Sequence, residues 1–135
     1  MISSEIQLRV NYYETDAMGY VHHSNYIRYF ETARTEMFKK IGVNYAAMEA
    51  DGVMMPVIYT TCRYIYPAKF DELLTICIIM KEMPETRMHL NYEVINEERK
   101  KICEGSVDLA FINSHSRRPC RAPENVINIL QPYFA

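Results

Sequence analysis

The sequence lacks the cysteine pattern of a metal-binding or disulfide-rich protein. Its four cysteines, at positions 62, 77, 103 and 120, are at least 15 positions apart. None has the close spacing of a zinc knuckle or a redox motif. Residues Met1–Glu5 also lack the basic and apolar regions of a signal peptide. We therefore expect free thiols in a cytoplasmic protein.

An excess of positive charge and a long apolar run are lacking too. The net charge is −2, whereas a nucleic-acid-binding domain needs clustered basic residues, so we expect no nucleic-acid partner. The longest strongly apolar run, Leu73–Met80, is interrupted by Thr75 and is too short to span a bilayer. No repeat or Pro/Gly-rich linker divides the 135 residues. We expect one domain over residues 1–135 with no membrane span.

Apolar periodicity predicts one long helix near the start of the chain. Ser24–Ile41 carries apolar residues at helical spacing, with Ser24 or Asn25 as candidate caps and Gly42 just past the end. Its polar face is expected to hold Glu31, Arg34, Glu36, Lys39 and Lys40. A strand over Glu5–Tyr13 and a loop over Asp16–His23 precede this helix.

The rest of the chain is strand-like, with little helix. Short helical segments are expected at Tyr45–Ala50 and near 123–130. The predicted strands are Val53–Tyr66, Leu73–Glu82, Arg87–Asn96 and Lys100–Ile112, the last two joined as a hairpin. One amphipathic helix against a mainly antiparallel sheet predicts a two-layer α+β domain.

The stretch Tyr12–Tyr26 carries the chemistry. It places the carboxylate of Asp16 before a turn at Gly19, followed by His22, His23 and a helix start. Because a helix N-terminus presents unpaired N–H groups and a partial positive charge, it can polarise a carbonyl on which the carboxylate acts. The alternative is that Asp16 only bonds nearby backbone N–H groups in its turn.

Three segments resemble a known family: Tyr13–Tyr26, Phe30–Glu36 and Tyr66–Leu74. They are similar to hotdog-fold acyl-CoA thioesterases of the 4-hydroxybenzoyl-CoA thioesterase type. The resemblance implies a hotdog fold, with a five-stranded antiparallel sheet wrapped around one long central helix. It also implies a homodimer paired edge to edge, commonly stacked into a homotetramer, with active sites at the dimer interface. No metal or organic cofactor is implied, since coenzyme A belongs to the substrate.

The resemblance assigns roles to particular residues. Asp16 takes the place of the catalytic carboxylate, and the backbone N–H of His23 polarises the thioester carbonyl. Glu31 lines the acyl pocket and Arg121 meets the nucleotide end of CoA. The predicted substrate-binding set is completed by Tyr13, Gly19, Tyr26 and Met55. The other wall of the pocket, near 55–61, is expected from a second subunit.

Several alternatives stay open in the sequence. Asp16 is either a nucleophile or a base for water, and His23 acts through its backbone or as a proton shuttle. His22 is expected to point away. Glu31 alternatively forms a surface ion pair. Met18 stands where many members of the family have a small residue, and Met55 where the aromatic-acid enzyme has a polar one. These departures favour an aliphatic or mixed acyl group, or a bulkier apolar one.

The acyl donor and the activity have alternatives as well. A basic cluster at Arg117, Arg118 and Arg121 suits CoA phosphates, or an acidic acyl-carrier protein, or is a solvated loop. An acyl-carrier-protein thioesterase and a non-catalytic acyl-CoA-binding module are therefore the alternative functions.

Overall fold

The computed structural model of the protein describes residues 1–134. The helices are α1 (Ser24–Ile41), α2 (Tyr45–Ala50) and α3 (Glu124–Leu130). The strands are β1 (Ile2–Arg9), β2 (Val53–Met54), β3 (Val57–Tyr64), β4 (Leu73–Met80), β5 (Arg87–Ile95), β6 (Lys101–Ala110) and β7 (Ile112–Asn113). Single turns of 3-10 helix occupy Tyr12–Glu14 and Gln131–Tyr133.

Five of the strands form one antiparallel sheet in the order β1-β4-β5-β6-β3. The inner face of this sheet packs on α1, where the Phe30 ring stacks on Tyr92 with centroids 4.3 Å apart. Strand β4 lies between β1 and β5, and every second residue along it is fully buried. The α+β arrangement of a sheet around one long helix is therefore confirmed.

Helix α1 begins and ends where its sequence predicted. Gly42 has φ +91° and its N–H donates to the Phe38 carbonyl at 2.9 Å, which closes the helix. The predicted caps are wrong, because the residue at the cap position is His23, whose own side chain makes no capping hydrogen bond. The side chain of Asn25 instead donates to the Glu14 carbonyl at 2.9 Å, which fastens the preceding loop to the helix.

Arg34 is a second correction on this helix. The sequence placed it on the exposed face, but it is only 8% exposed. Its Nε donates to the Tyr45 hydroxyl at 2.9 Å, so the guanidinium links α1 to α2. A buried charge is tolerated when it is hydrogen-bonded, and the Tyr45 hydroxyl supplies that partner.

The first strand lies earlier in the chain than predicted. It covers Ile2–Arg9 and pairs with all of β4, since the apolar alternation begins at Ile2. The predicted end, through Tyr13, is instead the 3-10 turn. Glu14 closes that turn, because its Oε1 accepts the backbone N–H of Asn11 at 2.7 Å.

The predicted strand Val53–Tyr66 is divided in two. The short β2 pairs with β7, whereas β3 pairs with β6. Pro56 lies between them and has no N–H to donate to a ladder, although its carbonyl accepts from Ala110 at 3.0 Å. The hairpin predicted between the last two long strands is confirmed, and buried Asn96 closes it by accepting from the Glu98 and Lys100 amides.

Two further expectations concern the chain as a whole. All four cysteines are free thiols, as predicted. No helix within residues 1–134 is both long and apolar enough to cross a membrane.

Candidate active site

The loop before α1 is held in a defined shape by its backbone. The Asp16 amide donates to the Tyr20 carbonyl at 2.8 Å, and the Gly19 amide donates to the Asp16 carbonyl at 3.0 Å. Gly19 has φ +83°, a conformation that glycine adopts without steric cost. Val21 then donates to the Ala68 carbonyl at 2.9 Å, which attaches the loop to the segment that enters β4.

The carboxylate of Asp16 is oriented by this turn. Its Oδ1 accepts from the Met18 amide at 2.9 Å and from the Tyr20 amide at 3.2 Å. These are the turn contacts of the alternative interpretation, and they engage one oxygen. Among residues 1–134, Oδ2 has no hydrogen-bond partner. The same side chain can therefore shape the turn and present a free carboxylate oxygen.

The start of α1 supplies a backbone donor. His23 has φ −54° and ψ −28°, so it is already helical, and its carbonyl accepts from Tyr26 at 3.3 Å. The next amide, that of Ser24, donates to the His22 ring nitrogen Nδ1 at 3.2 Å. No acceptor for the His23 amide lies within the described chain. This amide is one of the orphan donors of a helix N-terminus.

The rings of His22 and His23 stack with centroids 4.2 Å apart. His22 is exposed, as expected for a structural or solvent-facing residue. His22 is occupied structurally, because its Nδ1 also contacts the Ser24 hydroxyl at 2.8 Å. His23 additionally contacts the edge of the Tyr64 ring at 6.1 Å between centroids.

Asp16 and His23 line one cavity of about 360 Å³. The walls come from the loop, the start of α1 and the segment that follows β3. The remaining lining residues are Met18, Tyr20, Val21, Tyr26, Tyr64, Ile65, Tyr66 and Pro67. This volume is near the lower end of the usual range for small-molecule sites, about 300–1,000 Å³.

Aromatic rings form much of the cavity wall. Tyr26 and Tyr64 contact each other with centroids 5.7 Å apart. Tyr26 is 4% exposed, and burial raises its pKa well above the ordinary value, with the Cys103 thiol acting in the same direction. Its hydroxyl therefore stays protonated. The cavity presents flat apolar surface next to one carboxylate and one amide donor.

The other predicted site residues do not line this cavity in the single chain. Gly19 shapes its turn, and Tyr13 is 80% exposed beside it. Glu31 lies in a separate shallow groove with Arg28 on the exposed face of α1. Met55 packs against the core between β2 and β3. Arg121 is exposed near α3; the roles of these residues stay predictions.

The sequence did not predict that Tyr64–Pro67 would form a wall of the cavity, and a further wall near 55–61 from a second subunit stays a prediction. A signal was present: Tyr66–Pro67 begins the third resembling segment, and Tyr64 lies two residues after Cys62, on the same face of β3. The partner of Tyr64 across the ladder is buried Cys103, which fixes the tyrosine on the inner face.

This arrangement suits acyl transfer to water. A helix-start amide can stabilise the negative charge that develops on a carbonyl oxygen, and a carboxylate beside it can attack the carbonyl or activate water. Within the described residues, no three side chains of His, Cys, Asp or Glu are grouped to hold one metal ion. That the chemistry needs no metal or cofactor stays a prediction.

Comparisons with known proteins agree with this chemistry. The sequence model described as the thioesterase-like superfamily matches residues 10–130. The acyl-CoA thioester hydrolase YbgC of Escherichia coli O157:H7 is 29% identical over 120 residues, which cover 89% of this chain and 90% of that protein.

Solved structures share the fold. A DHNA-CoA thioesterase from Staphylococcus aureus has a TM-score of 0.83 at 30% identity, covering 99% of this chain and 85% of the other. A hypothetical protein, TT1821 from Thermus thermophilus, has a TM-score of 0.87 at 30% identity and covers 99% of both chains. The hotdog fold and the resemblance stated from the sequence are thereby confirmed.

Proposed function

The chain belongs to the thioesterase-like superfamily, and we propose that it hydrolyses acyl-CoA thioesters to a free acid and CoA. One observation carries the proposal of mechanism: Asp16 and His23, whose amide has no acceptor within the described residues, line the same cavity. The name of YbgC, a relative matched over 89% of this chain, supports the substrate class.

In the proposed reaction the thioester carbonyl lies against the start of α1. The His23 N–H, reinforced by the partial positive charge of the helix end, stabilises the oxyanion. Asp16 uses Oδ2, the oxygen that no backbone amide engages, as nucleophile or as base for water. The thiolate of CoA leaves and is protonated by solvent.

Asp16→Asn tests the carboxylate with little change to the loop. The amide oxygen of asparagine still accepts from the Met18 and Tyr20 amides, so the turn is kept. We expect kcat for acyl-CoA hydrolysis to fall by about 10² or more. Asp71→Asn is the matched control, because Asp71 is also a turn residue with φ +69° and lies outside the cavity. Equal thiol release by wild type and Asp16→Asn excludes the assignment.

His23→Pro and His23→Ala separate the backbone of His23 from its imidazole. Proline has no N–H, and the observed φ of −54° suits its ring. If the amide stabilises the oxyanion, the proline variant loses about 10²–10³ in kcat whereas the alanine variant keeps most of its activity. Equal losses in both variants favour the imidazole as the acting group. Circular dichroism of both variants checks that α1 is formed.

We propose that the working unit is a homodimer paired through β3. This strand is one of the two edges of the sheet, and its apolar side chains are unusually exposed, including Tyr59 at 61% and Val57 at 47%. A long exposed apolar edge is a template for pairing with another strand. Sedimentation velocity tests the state, and Tyr59→Lys on this edge is expected to shift it toward the monomer. A wild type that is monomeric and fully active contradicts the dimer. A tetramer does not contradict it, because a tetramer of stacked dimers still contains the dimer.

A basic cluster of three exposed residues supports an acyl donor whose negatively charged part lies outside the cavity. The three residues are Arg117, Arg118 and Arg121. CoA phosphates and an acidic acyl-carrier protein both fit this charge. Comparison of kcat/KM for matched acyl-CoA and acyl-carrier substrates distinguishes the two donors. We expect the CoA substrate to be preferred, and Arg121→Gln to raise KM more than it lowers kcat. A preference for the carrier substrate selects the alternative.

A further inference from the structure

The buried side chain of Asn25 contacts the backbone on both sides of the candidate active-site loop. Its Nδ2 donates to the Glu14 carbonyl at 2.9 Å and to the His22 carbonyl at 3.2 Å. Carbonyl oxygens can only accept, and an amide NH2 group has two hydrogens to donate, so one group satisfies both contacts. Asn25 is 5% exposed. These contacts lie within one chain and therefore need no second subunit.

One of the two carbonyls belongs to the peptide unit that carries the His23 amide. In a planar trans peptide, the C=O of one residue and the N–H of the next point in opposite directions. The His22 carbonyl accepts twice from Asn25, from the side-chain Nδ2 at 3.2 Å and from the backbone amide at 2.9 Å. With this carbonyl held on one side, the His23 N–H is turned to the other, where no acceptor within residues 1–134 engages it.

The other carbonyl anchors the segment that leads to Asp16. The Glu14 carbonyl accepts from the His22 amide at 2.8 Å as well as from Asn25. The Glu14 side chain is buried too, and its Oε1 accepts a backbone amide of the preceding turn at 2.7 Å. Asp16 follows two residues later. The Asn25 side chain thus joins the backbone before the carboxylate to the backbone before the His23 amide.

A capping role does not account for these hydrogen bonds. A capping side chain accepts from the free amides of the first helical turn. Asn25 does the opposite, because its NH2 group donates to two carbonyls that precede the helix. The side chain therefore leaves the His23 amide free of a partner and fixes the direction in which it points.

We propose that Asn25 is a positioning residue for thioester hydrolysis, which aims the His23 N–H at the substrate carbonyl and sets its position relative to Asp16. This inference rests on the proposed function. Asn25 does not line the cavity, so it acts through the His22–His23 peptide. Hydrogen bonds in a chain polarise one another, so the two bonds accepted by the His22 carbonyl also make the N–H of the same peptide a stronger donor.

Asn25→Leu removes both side-chain donors and keeps a side chain of similar size. We expect kcat for acyl-CoA hydrolysis to fall by about tenfold to a hundredfold, since a misplacement of roughly 1 Å at a reacting site can cost about 10²-fold. The loss is smaller than the 10²–10³ or so expected for His23→Pro, which removes the donor altogether. KM should change by less than about twofold, because the interaction is made in the transition state.

A double-mutant cycle distinguishes positioning from a general structural role. If Asn25 acts through the His23 amide, Asn25→Leu should cost little further kcat in a His23→Pro background, where that amide is absent. A purely structural effect should lower kcat by the same factor in both backgrounds. Urea unfolding checks that each variant is folded under the assay conditions. Asn25→Ala takes the place of Asn25→Leu in the cycle if the larger side chain prevents folding.

Asn96→Ala is the matched control for lost stability. Asn96 is also a buried asparagine, and its side chain closes a turn by hydrogen bonds to the backbone. It lies outside the cavity, so we expect this variant to be less stable and to keep the kcat of wild type.

A measurement on the protein without substrate separates this inference from the proposed function. The backbone nitrogen resonance of His23 in NMR spectra responds to hydrogen bonding at the His22 carbonyl of the same peptide. It should move in Asn25→Leu and stay in place in Asn96→Ala.

Four results overturn the proposal: wild-type kcat in Asn25→Leu, equal loss factors in the wild-type and His23→Pro backgrounds, an equal loss in Asn96→Ala, or an unmoved His23 resonance. A wild type that releases no thiol from any acyl-CoA contradicts the proposed function instead. In that case the His23 resonance still tests whether Asn25 holds the peptide.

Discussion

Gly105 of β6 lies where the sheet and the long helix are in close contact. A Cβ atom added there would be 2.3 Å from the Thr61 carbonyl oxygen of β3 and 2.8 Å from Cε2 of Phe30 on α1. Ordinary contacts of such an atom begin near 3.4 Å, so the first is too short by about 1.1 Å. Gly105→Ala therefore forces β3, β6 or α1 to move.

The cost can be placed at the upper end of the range for overpacked cores. One extra methyl group typically costs about 1–3 kcal/mol when flexible side chains can adjust. Here the nearest atom belongs to the backbone, and the Phe30 ring is held against Tyr92. We expect a loss of about 3 kcal/mol in the free energy of unfolding and a decrease of about 10 °C in Tm.

Urea unfolding followed by circular dichroism measures this change. Ser106→Ala is the matched control one residue away, because its side chain bonds the Thr61 hydroxyl at 2.7 Å on the outer face of the sheet. That variant should lose only about 1 kcal/mol. If Gly105→Ala is as stable as wild type, the close approach of β3 and α1 to Gly105 is wrong. If both variants lose the same amount, steric exclusion is not the cause.

Two further predictions concern stability. Tyr45→Phe removes the acceptor of the buried Arg34 Nε and should lower the free energy of unfolding by about 2 kcal/mol. Tyr12 is 76% exposed, so Tyr12→Phe is the control and should cost almost nothing. Equal urea midpoints for the two variants contradict the buried link between Arg34 and Tyr45. Burial raises the pKa of three tyrosines above the ordinary value of about 10, namely Tyr26, Tyr29 and Tyr92. Because only the unfolded chain releases these protons, their stabilisation is complete below about pH 10 and falls as the pH rises further. Phenolate absorbance should therefore complete its rise only as circular dichroism is lost; full titration of all eleven tyrosines in folded protein contradicts this.

Local patterns in the sequence predicted most of the fold because they act over short distances. The spacing of apolar residues and Gly42 determined both ends of α1. The turn chemistry of Asn96 placed the β5–β6 hairpin. Strand ends were less well predicted, since pairing with β4 extends β1 back to Ile2 and Pro56 separates β2 from β3.

The burial of Arg34 was not predictable from helical periodicity alone. On a helical wheel it falls beside polar residues, and only the position of Tyr45 provides a polar partner inside the fold. The stacking of His22 on His23 was missed for a similar reason. Both depend on where a second element lies, and local sequence does not contain that information.

Of the candidate site, the sequence by itself determined the chemical groups on the loop and at the helix start. Asp16, the glycine turn and the first residues of α1 are local, because hydrogen bonds within a few residues shape them. Only the tertiary structure decided the wall of the cavity that Tyr64 forms. This wall arises where β3 pairs with β6, across about 40 residues of chain, and such a contact is fixed by the packing of the whole sheet around α1.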